Sequence, residues 1–484
     1  MSSLKEKSIK GLFWDFSGRI GLQGVGFVVS IVLARLLAPE EFGLLAIITV
    51  FINLASVFLD FGFSTALIQK QDVREEHYSA VFYLNIVMGL VLAAIVFLLA
   101  PLIGKFYENE VLVNVTRLMA LGIFISSFGN VMRARLRREM NFKSMSLASI
   151  YAAIISGLLA MFLALKGFGV WSLAIQSVLN QLLANIFLYI FCKLRMSFRF
   201  SWPALIELWP FSSHVFFSGL LDSIFHNFDS ILIGKLISPT TLGYYYRAKS
   251  LEFFTLRYVG STLASILFPS LSAIKTDEEK FKAIVLKLFN LISFVSFFTC
   301  GLLLVCGREI IIILFSEKWE PSVLMFQILI AGSFGSQISS LLITAILSYG
   351  GSKDFLLINI VIKSLLFLNF GILIAFNLNS FLIGYTIIQV INLLIQMSIL
   401  TKYLKFHGLL FFTTAKYFLV YGLSIVLVIL GVSVMEINSI GISFLMKIVF
   451  FIVVNLSLIN IFRLTGLEIA VGEAKFFCKT YIHK

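Results

Sequence analysis

The chain of 484 residues is 59% hydrophobic and only 13% charged, where an ordinary soluble domain has about 45–50% and about 25%. Its 51 phenylalanines and 7 prolines put the apolar excess into long unbroken runs, more than one buried core can use. These numbers exclude a soluble globule and predict an all-α polytopic membrane protein; the net charge of +13 is then an orientation signal, and no nucleic-acid partner is expected.

At roughly 20 apolar residues per crossing, about fourteen spans follow in chain order. They lie near 12–37, 43–66, 79–103, 111–132, 146–166, 169–191, 211–237, 242–270, 284–306, 322–349, 355–377, 380–401, 415–435 and 441–463. The first opens with Lys5, Lys7 and Lys10, runs past signal-peptide length and lacks a small-x-small cleavage site, so it is predicted to be retained. The run 309–315, ahead of Ser316-Glu-Lys-Trp-Glu-Pro321, is too short to cross and is predicted to lie at the interface. No loop is long enough for an extramembrane domain.

Of the 38 Lys and Arg, seven fall within these spans and 25 lie on the side of the N-terminus. The other side holds six: Arg35, Lys105, Lys166, Lys235, Arg308 and Lys318. Both termini are therefore predicted to be cytoplasmic. Cys192, Cys300, Cys306 and Cys478 have no CxxC or Cys/His spacing, and are predicted to be buried or interfacial thiols with no metal. No GxxxxGK[ST] sequence occurs, so neither a nucleotide site nor another cofactor is expected.

An internal repeat organises the chain. Ile31-Val-Leu-Ala-Arg-Leu-Leu-Ala-Pro-Glu-Glu-Phe-Gly43 aligns without a gap on Ile231-Leu-Ile-Gly-Lys-Leu-Ile-Ser-Pro-Thr-Thr-Leu-Gly243. Leu36/Leu236, Pro39/Pro239 and Gly43/Gly243 match, and Arg35 and Lys235 are in register. A weaker echo at an offset of 210, Lys143 with Lys353 and Trp171 with Phe381, extends it. The copies end spans one and seven, so the halves share one orientation, related by an axis along the membrane normal. The parse is two six-helix lobes in parallel pseudo-repeat, 1–200 and 201–405, and two further helices with a cytoplasmic tail, 406–484.

A charge at mid-bilayer costs about 2.5–3.5 kcal/mol on insertion scales and needs a partner, a wet cavity or a function. Seven cations lie in the spans: Arg19, Arg117, Arg247, Lys249, Arg257, Lys363 and Lys447. They are joined by Asp15, Asp60, Asp222, Asp229, Glu252, His214 and His226. Asp15 and Arg19 are spaced to pair with each other, and Arg117 and Lys447 suit a structural pair or snorkelling. Arg247, Lys249, Glu252 and Arg257 crowd the eighth span, with Lys249 and Arg257 near one face and Glu252 placed to steady Lys249. A helix with this cation excess cannot face lipid and is predicted to face a wet cavity suited to an anion. Arginine's planar fork suits phosphate.

Gly18, Gly21, Gly24 and Gly26 in span one allow close packing or bending. Trp202, Trp209 and Tyr244-Tyr245-Tyr246 fit an interfacial belt. Arg133-Ala-Arg-Leu-Arg-Arg138 fits attraction to anionic membrane lipid, or docking of a cytoplasmic partner.

The segment from Ser30 to Ala46, followed by Asp60-Phe-Gly-Phe-Ser-Thr-Ala-Leu-Ile68, resembles the opening of bacterial polysaccharide-export flippases of the Wzx type. Gly243-Tyr-Tyr-Tyr-Arg-Ala-Lys249 and Leu267-Phe-Pro-Ser-Leu271 are similar to the same family's eighth span. The resemblance places the chain in the multidrug, oligosaccharidyl-lipid and polysaccharide exporter superfamily, and weakens after about residue 400. It implies a central cationic cavity, and a substrate of undecaprenyl-pyrophosphate-linked oligosaccharide turned from the cytoplasmic to the periplasmic leaflet of the inner membrane. On this basis Arg19, Lys249 and Arg257 are the expected pyrophosphate contacts, with Arg247, Glu252 and Asp60 beside them. Asp222 and Asp229 are the candidates for ion coupling. Expected partners are the lipid-linked oligosaccharide, membrane lipids, and a polysaccharide polymerase with its chain-length machinery.

Two other functions compete. A multidrug or cation antiporter of the same superfamily would use Asp60, Asp222 and Asp229 as proton or sodium sites, but the cations of spans one and eight oppose a cationic passenger. A membrane-embedded glycan polymerase or ligase needs a sizeable outer loop with catalytic groups, and every outer loop is short. A transporter, not an enzyme, is expected.

Overall fold

A computed structural model describes residues 2–192, 200–253, 271, 274, 277–406, 408–435 and 439–472, with side chains from residue 14 onward except that of Cys192. Among the described residues every regular element is a helix. In order these are α1 Ser2–Leu36, α2 Pro39–Asp60, α3 Phe63–Gln69, α4 Glu75–Tyr107, α5 Val111–Arg138, α6 Phe142–Leu165, α7 Val170–Cys192 and α8 Trp202–Leu236. The helical residues 239–253 form α9. Then come α10 Glu278–Phe315, a 3-10 turn Glu317–Trp319, α11 Ser322–Tyr349, α12 Ser352–Ala375, α13 Leu378–Leu404, α14 Leu409–Ser433 and α15 Ile440–Phe462. Thirteen described helices are long and apolar enough to cross a bilayer, and α9 starts where the eighth span was predicted. Large apolar side chains such as Leu98, Ile374 and Ile461 stand exposed along them, as a lipid-facing surface requires.

Two predicted boundaries are corrected. The second span does not run to 66: α2 stops at Asp60, Phe61 and Gly62 turn left-handed at φ 47° and 78°, and α3 restarts the chain. Glycine is needed there, since a Cβ on Gly62 would stand 2.7 Å from the Ser212 carbonyl oxygen. The run 309–315 is not a separate interfacial piece but the end of α10, a single helix of 38 residues. No proline interrupts it, and it ends only where Ser316 takes φ 85°.

By compactness the chain divides into Met1–Tyr246 and Arg247–Lys484, a division that falls within α9. In the first unit α6 lies between α1 and α7, α5 lies between α4 and α7, and α8 packs on α2, α3 and α4. The repeat parse instead begins its second lobe with α8, because that parse follows sequence similarity and this division follows packing. The α6 contacts depend on small residues: Ala148, Ala152, Ser156, Ala160 and Ala164 recur every fourth residue and are all buried. Without hydrophobic drive between helices in lipid, such ridges gain by close van der Waals approach. Gly18 is part of the same contact, since a Cβ there would collide with Ser146, and Gly157 faces Val29. This supports the packing role for Gly18; among the described residues no atoms oppose Gly24 or Gly26.

In the second unit α10 packs on α11, α14 and α15, and α11 packs on α13. Phe297 of α10 stacks with Phe334, Tyr417 and Tyr421, ring centroids 4.6, 5.8 and 5.7 Å away. Cys300 and Cys306 are buried free thiols on the same helix.

Candidate functional site

The charged groups predicted to matter are in different situations. On α1, Arg19 donates from Nη2 to Asp15 Oδ2 at 2.9 Å, and its side chain is 65% exposed. The i,i+4 pair is therefore made, yet it uses one of the guanidinium's five donors. Asp60 acts locally: its two oxygens accept the Ser64 backbone N–H at 3.2 and 3.1 Å, and Oδ1 also accepts the Ser64 hydroxyl at 2.5 Å. A carboxylate there satisfies an early N–H of α3 and complements its N-terminal dipole.

On α8, Asp222 is exposed and Asp229 is 7% exposed. Asp229 Oδ2 accepts the Tyr245 hydroxyl at 2.5 Å and Oδ1 the Ser230 N–H at 2.7 Å. Tyr245, expected in an interfacial belt, is instead a buried tie from α9 to α8.

In the second unit, Arg247 is 3% exposed, with its guanidinium carbon 4.7 Å from the Phe315 ring centre and 5.1 Å from that of Trp319. Such a desolvated cation–π contact is worth about 2 kcal/mol. Lys249 is half-buried. Three residues on, Glu252 accepts the Ser333 hydroxyl of α11 at 2.6 Å through Oε1. Arg257 lies outside the described residues.

Several other polar ties have structural partners. The Arg133–Arg138 tract forms the end of α5. Arg135 pairs with Glu75 at 2.9 Å and Glu139 at 3.1 Å, and Arg138 donates to the carbonyls of Leu67, Lys70 and Gln71 that close α3. Glu207 of α8 accepts from Lys70 at 3.0 Å, Arg74 at 3.2 Å and the buried His77 at 3.1 Å. Sequence reasoning missed Glu309 by assigning it to an interfacial piece: Oε1 accepts from Lys447 Nζ at 2.6 Å and from the Ser443 hydroxyl at 3.0 Å, joining α10 to α15. Lys447 is thus the structural pair its position suggested. Also missed was a set of neutral groups, Ser336, Ser339, Ser340 and Thr344 on α11 and Gln389 and Asn392 on α13, which line a cavity of about 570 Å³. Their helical spacing was the available signal.

The chain is 25% identical over 350 residues to the lipopolysaccharide biosynthesis protein WzxC of Escherichia coli, with 70% of each chain covered. It is 27% identical over 267 residues to the succinoglycan biosynthesis transport protein ExoT of Rhizobium meliloti, covering 55% of this chain and 54% of that one. Its fold is similar to that of the lipid II flippase MurJ in an inward closed conformation, with a TM-score of 0.72 and 15% identity, over 94% of this chain and 98% of the other. The polysaccharide biosynthesis protein family matches residues 32–324, more than half of the sequence, and the chain belongs to that family.

Proposed function

We propose that this protein moves an undecaprenyl-pyrophosphate-linked oligosaccharide from the cytoplasmic to the periplasmic leaflet of the bacterial inner membrane, with both termini cytoplasmic, by alternating access of the repeat-related lobes 1–200 and 201–405. The observation that carries the reading is Arg19: a side chain 65% exposed on a helix long and apolar enough to cross a bilayer. A charge within a span needs a partner, a wet cavity or a function; Asp15 meets one of the guanidinium's five donors, and this reading assigns others to water or an anionic substrate. Family membership and relatives named for polysaccharide transport supply the class of anion.

In this reading Arg19, Lys249 and Arg257 are contacts for the pyrophosphate, Glu252 steadies Lys249, and Arg247 holds α9 in place through its aromatic stack. Asp60 shapes the break between α2 and α3 next to the path. Asp222 and Asp229 are the groups proposed for ion coupling, and the polymerase and chain-length machinery the proposed downstream partners.

The test is accumulation of lipid-linked oligosaccharide on the cytoplasmic leaflet of cells lacking the protein, rescued by wild type or by Arg19→Ala, Lys249→Ala and Arg257→Ala at equal expression. Wild type is expected to clear the intermediate and each variant to slow clearance tenfold or more, the loss of about one charge-assisted hydrogen bond. Absence of any accumulated intermediate overturns the flippase. Full rescue by all three variants overturns the anion contacts alone.

A further inference from the structure

The cavity between α11 and α13 has no part in the charge-based account above. It holds about 570 Å³, within the range of about 300–1,000 Å³ typical of ligand pockets. Among the described residues its polar lining is four hydroxyls and two amides, with no charged side chain. Ser336, Ser340 and Thr344 follow one face of α11 at steps of four, and Ser339 lies beside them. Gln389 and Asn392 approach from α13 at a spacing of three.

Two details mark this as more than a stripe of small residues. Ser339 is 5% exposed and, among the described residues, its hydroxyl has no hydrogen-bond partner, an unfavourable arrangement unless a ligand or water meets it. Gln396, fully buried one turn beyond Asn392, donates to Asn392 Oδ1 at 2.8 Å. That bond fixes the amide and directs its N–H groups away from Gln396.

We propose that this cavity is a subsite for the uncharged sugar units of the lipid-linked glycan. The inference rests on the transport reading above and adds where, and by what chemistry, the sugars are held. Among the described lining a phosphate would meet no counter-charge and a metal cation no carboxylate. An acyl chain would leave the Ser339 hydroxyl, the Gln389 amide and the Asn392 N–H groups unmet. A sugar hydroxyl donates and accepts, as serine, asparagine and glutamine do, and so satisfies the lining from every side.

Position strengthens the chemistry. Ser333, which bonds Glu252, is one turn before Ser336 on α11, so the cavity begins about 5 Å along the helix axis from the Lys249–Glu252 group and runs about 12 Å further to Thr344. A pyrophosphate at Lys249 would thus place its first sugar in the approach along α11 and the sugars beyond it in the cavity. In the proposed orientation this is the cytoplasmic half of α11, the side from which substrate is loaded.

The experiment compares two lipids in proteoliposomes containing the full chain. One is undecaprenyl pyrophosphate bearing a single N-acetylglucosamine. The other is the complete lipid-linked repeat unit extracted from cells lacking the protein. Gln389→Leu with Asn392→Leu is expected to slow the complete substrate about tenfold or more while the one-sugar lipid stays within twofold of wild type, and Lys249→Ala is expected to slow both. Ser339→Ala with Asn392→Ala removes the same groups without adding bulk, and should reproduce the split more weakly in a protein of unchanged melting temperature. If the cavity variants slow both lipids equally, or neither, the subsite is overturned and transport stands. If wild type moves neither lipid, the transport reading fails and the subsite with it.

Discussion

In Ile31–Gly43, α1 ends at Leu36 and α2 begins at Pro39; in Ile231–Gly243, α8 ends at Leu236 and α9 begins at residue 239. The breaks match residue for residue, and the copies meet each other. A Cβ on Gly43 would stand 1.7 Å from the Pro239 carbonyl oxygen, and one on Gly243 1.9 Å from that of Pro39. This reciprocity is what a two-fold relation between the copies produces. Their side chains differ. In the first copy Glu41 Oε2 accepts the Ala38 N–H at 2.6 Å, and in the second Ser238 Oγ accepts the Thr241 N–H at 3.0 Å. Each is one half of a capping box. The difference teaches that the backbone approach is fixed by glycine and proline, while either half of the cap holds the helix start.

The largest expected effect breaks the approach. Gly43→Ala and Gly243→Ala each put a methyl into backbone that cannot swing aside, and each should destabilise by about 3 kcal/mol, the upper part of the usual overpacking range. Because both methyls strain one contact, the double variant should lose clearly less than the sum. Denaturant unfolding of the four proteins in detergent checks this; additive losses would show that the two contacts are independent.

A smaller effect sharpens the comparison of caps. Glu41→Ala and Ser238→Ala should each cost about 1 kcal/mol. Ala38→Ser gives the first copy both halves of the box and should gain a similar amount, read from the same unfolding curves. Equal stability of Ala38→Ser and wild type would mean that Glu41 alone already meets what the helix start requires.

The glycine and proline positions were legible because conformation at such residues is local, and the spans because hydropathy integrates over about 20 residues. What escaped depended on distant partners. The α2–α3 break interrupts an apolar run whose only mark is Asp60-Phe61-Gly62. Arg247 counted as a cavity cation until Phe315 and Trp319, more than sixty residues later, enclosed it. Glu309 looked interfacial because a span ends on average length, whereas α10 continues to Phe315. The α11–α13 cavity left no charge to notice, since serine and threonine fit apolar helices by bonding back to their own carbonyls, as Thr344 does to Ser340 at 2.7 Å.

The smallest effect concerns the cations in register, Arg35 and Lys235. Lys235 Nζ meets Glu108 Oε1 at 2.9 Å, beyond the end of α4. That hydrogen bond and the lysine's charge hold the Glu108 carboxyl below the ordinary value of 4.5. A lowered folded-state pKa stabilises the fold above the unfolded value, and the stabilisation fades as pH falls through the folded one. Wild type should therefore lose a little stability relative to Glu108→Gln as pH drops below 4.5, and the two should converge. Glu108 is 82% exposed, so added salt should shrink the difference at neutral pH as well. Lys235→Arg should keep both dependences, since the second copy then carries the first copy's guanidinium opposite the same carboxylate. If Lys235→Arg abolishes them, the pair depends on the ammonium's point contact, and the register with Arg35 reflects shared charge on one side of the membrane, not a shared contact.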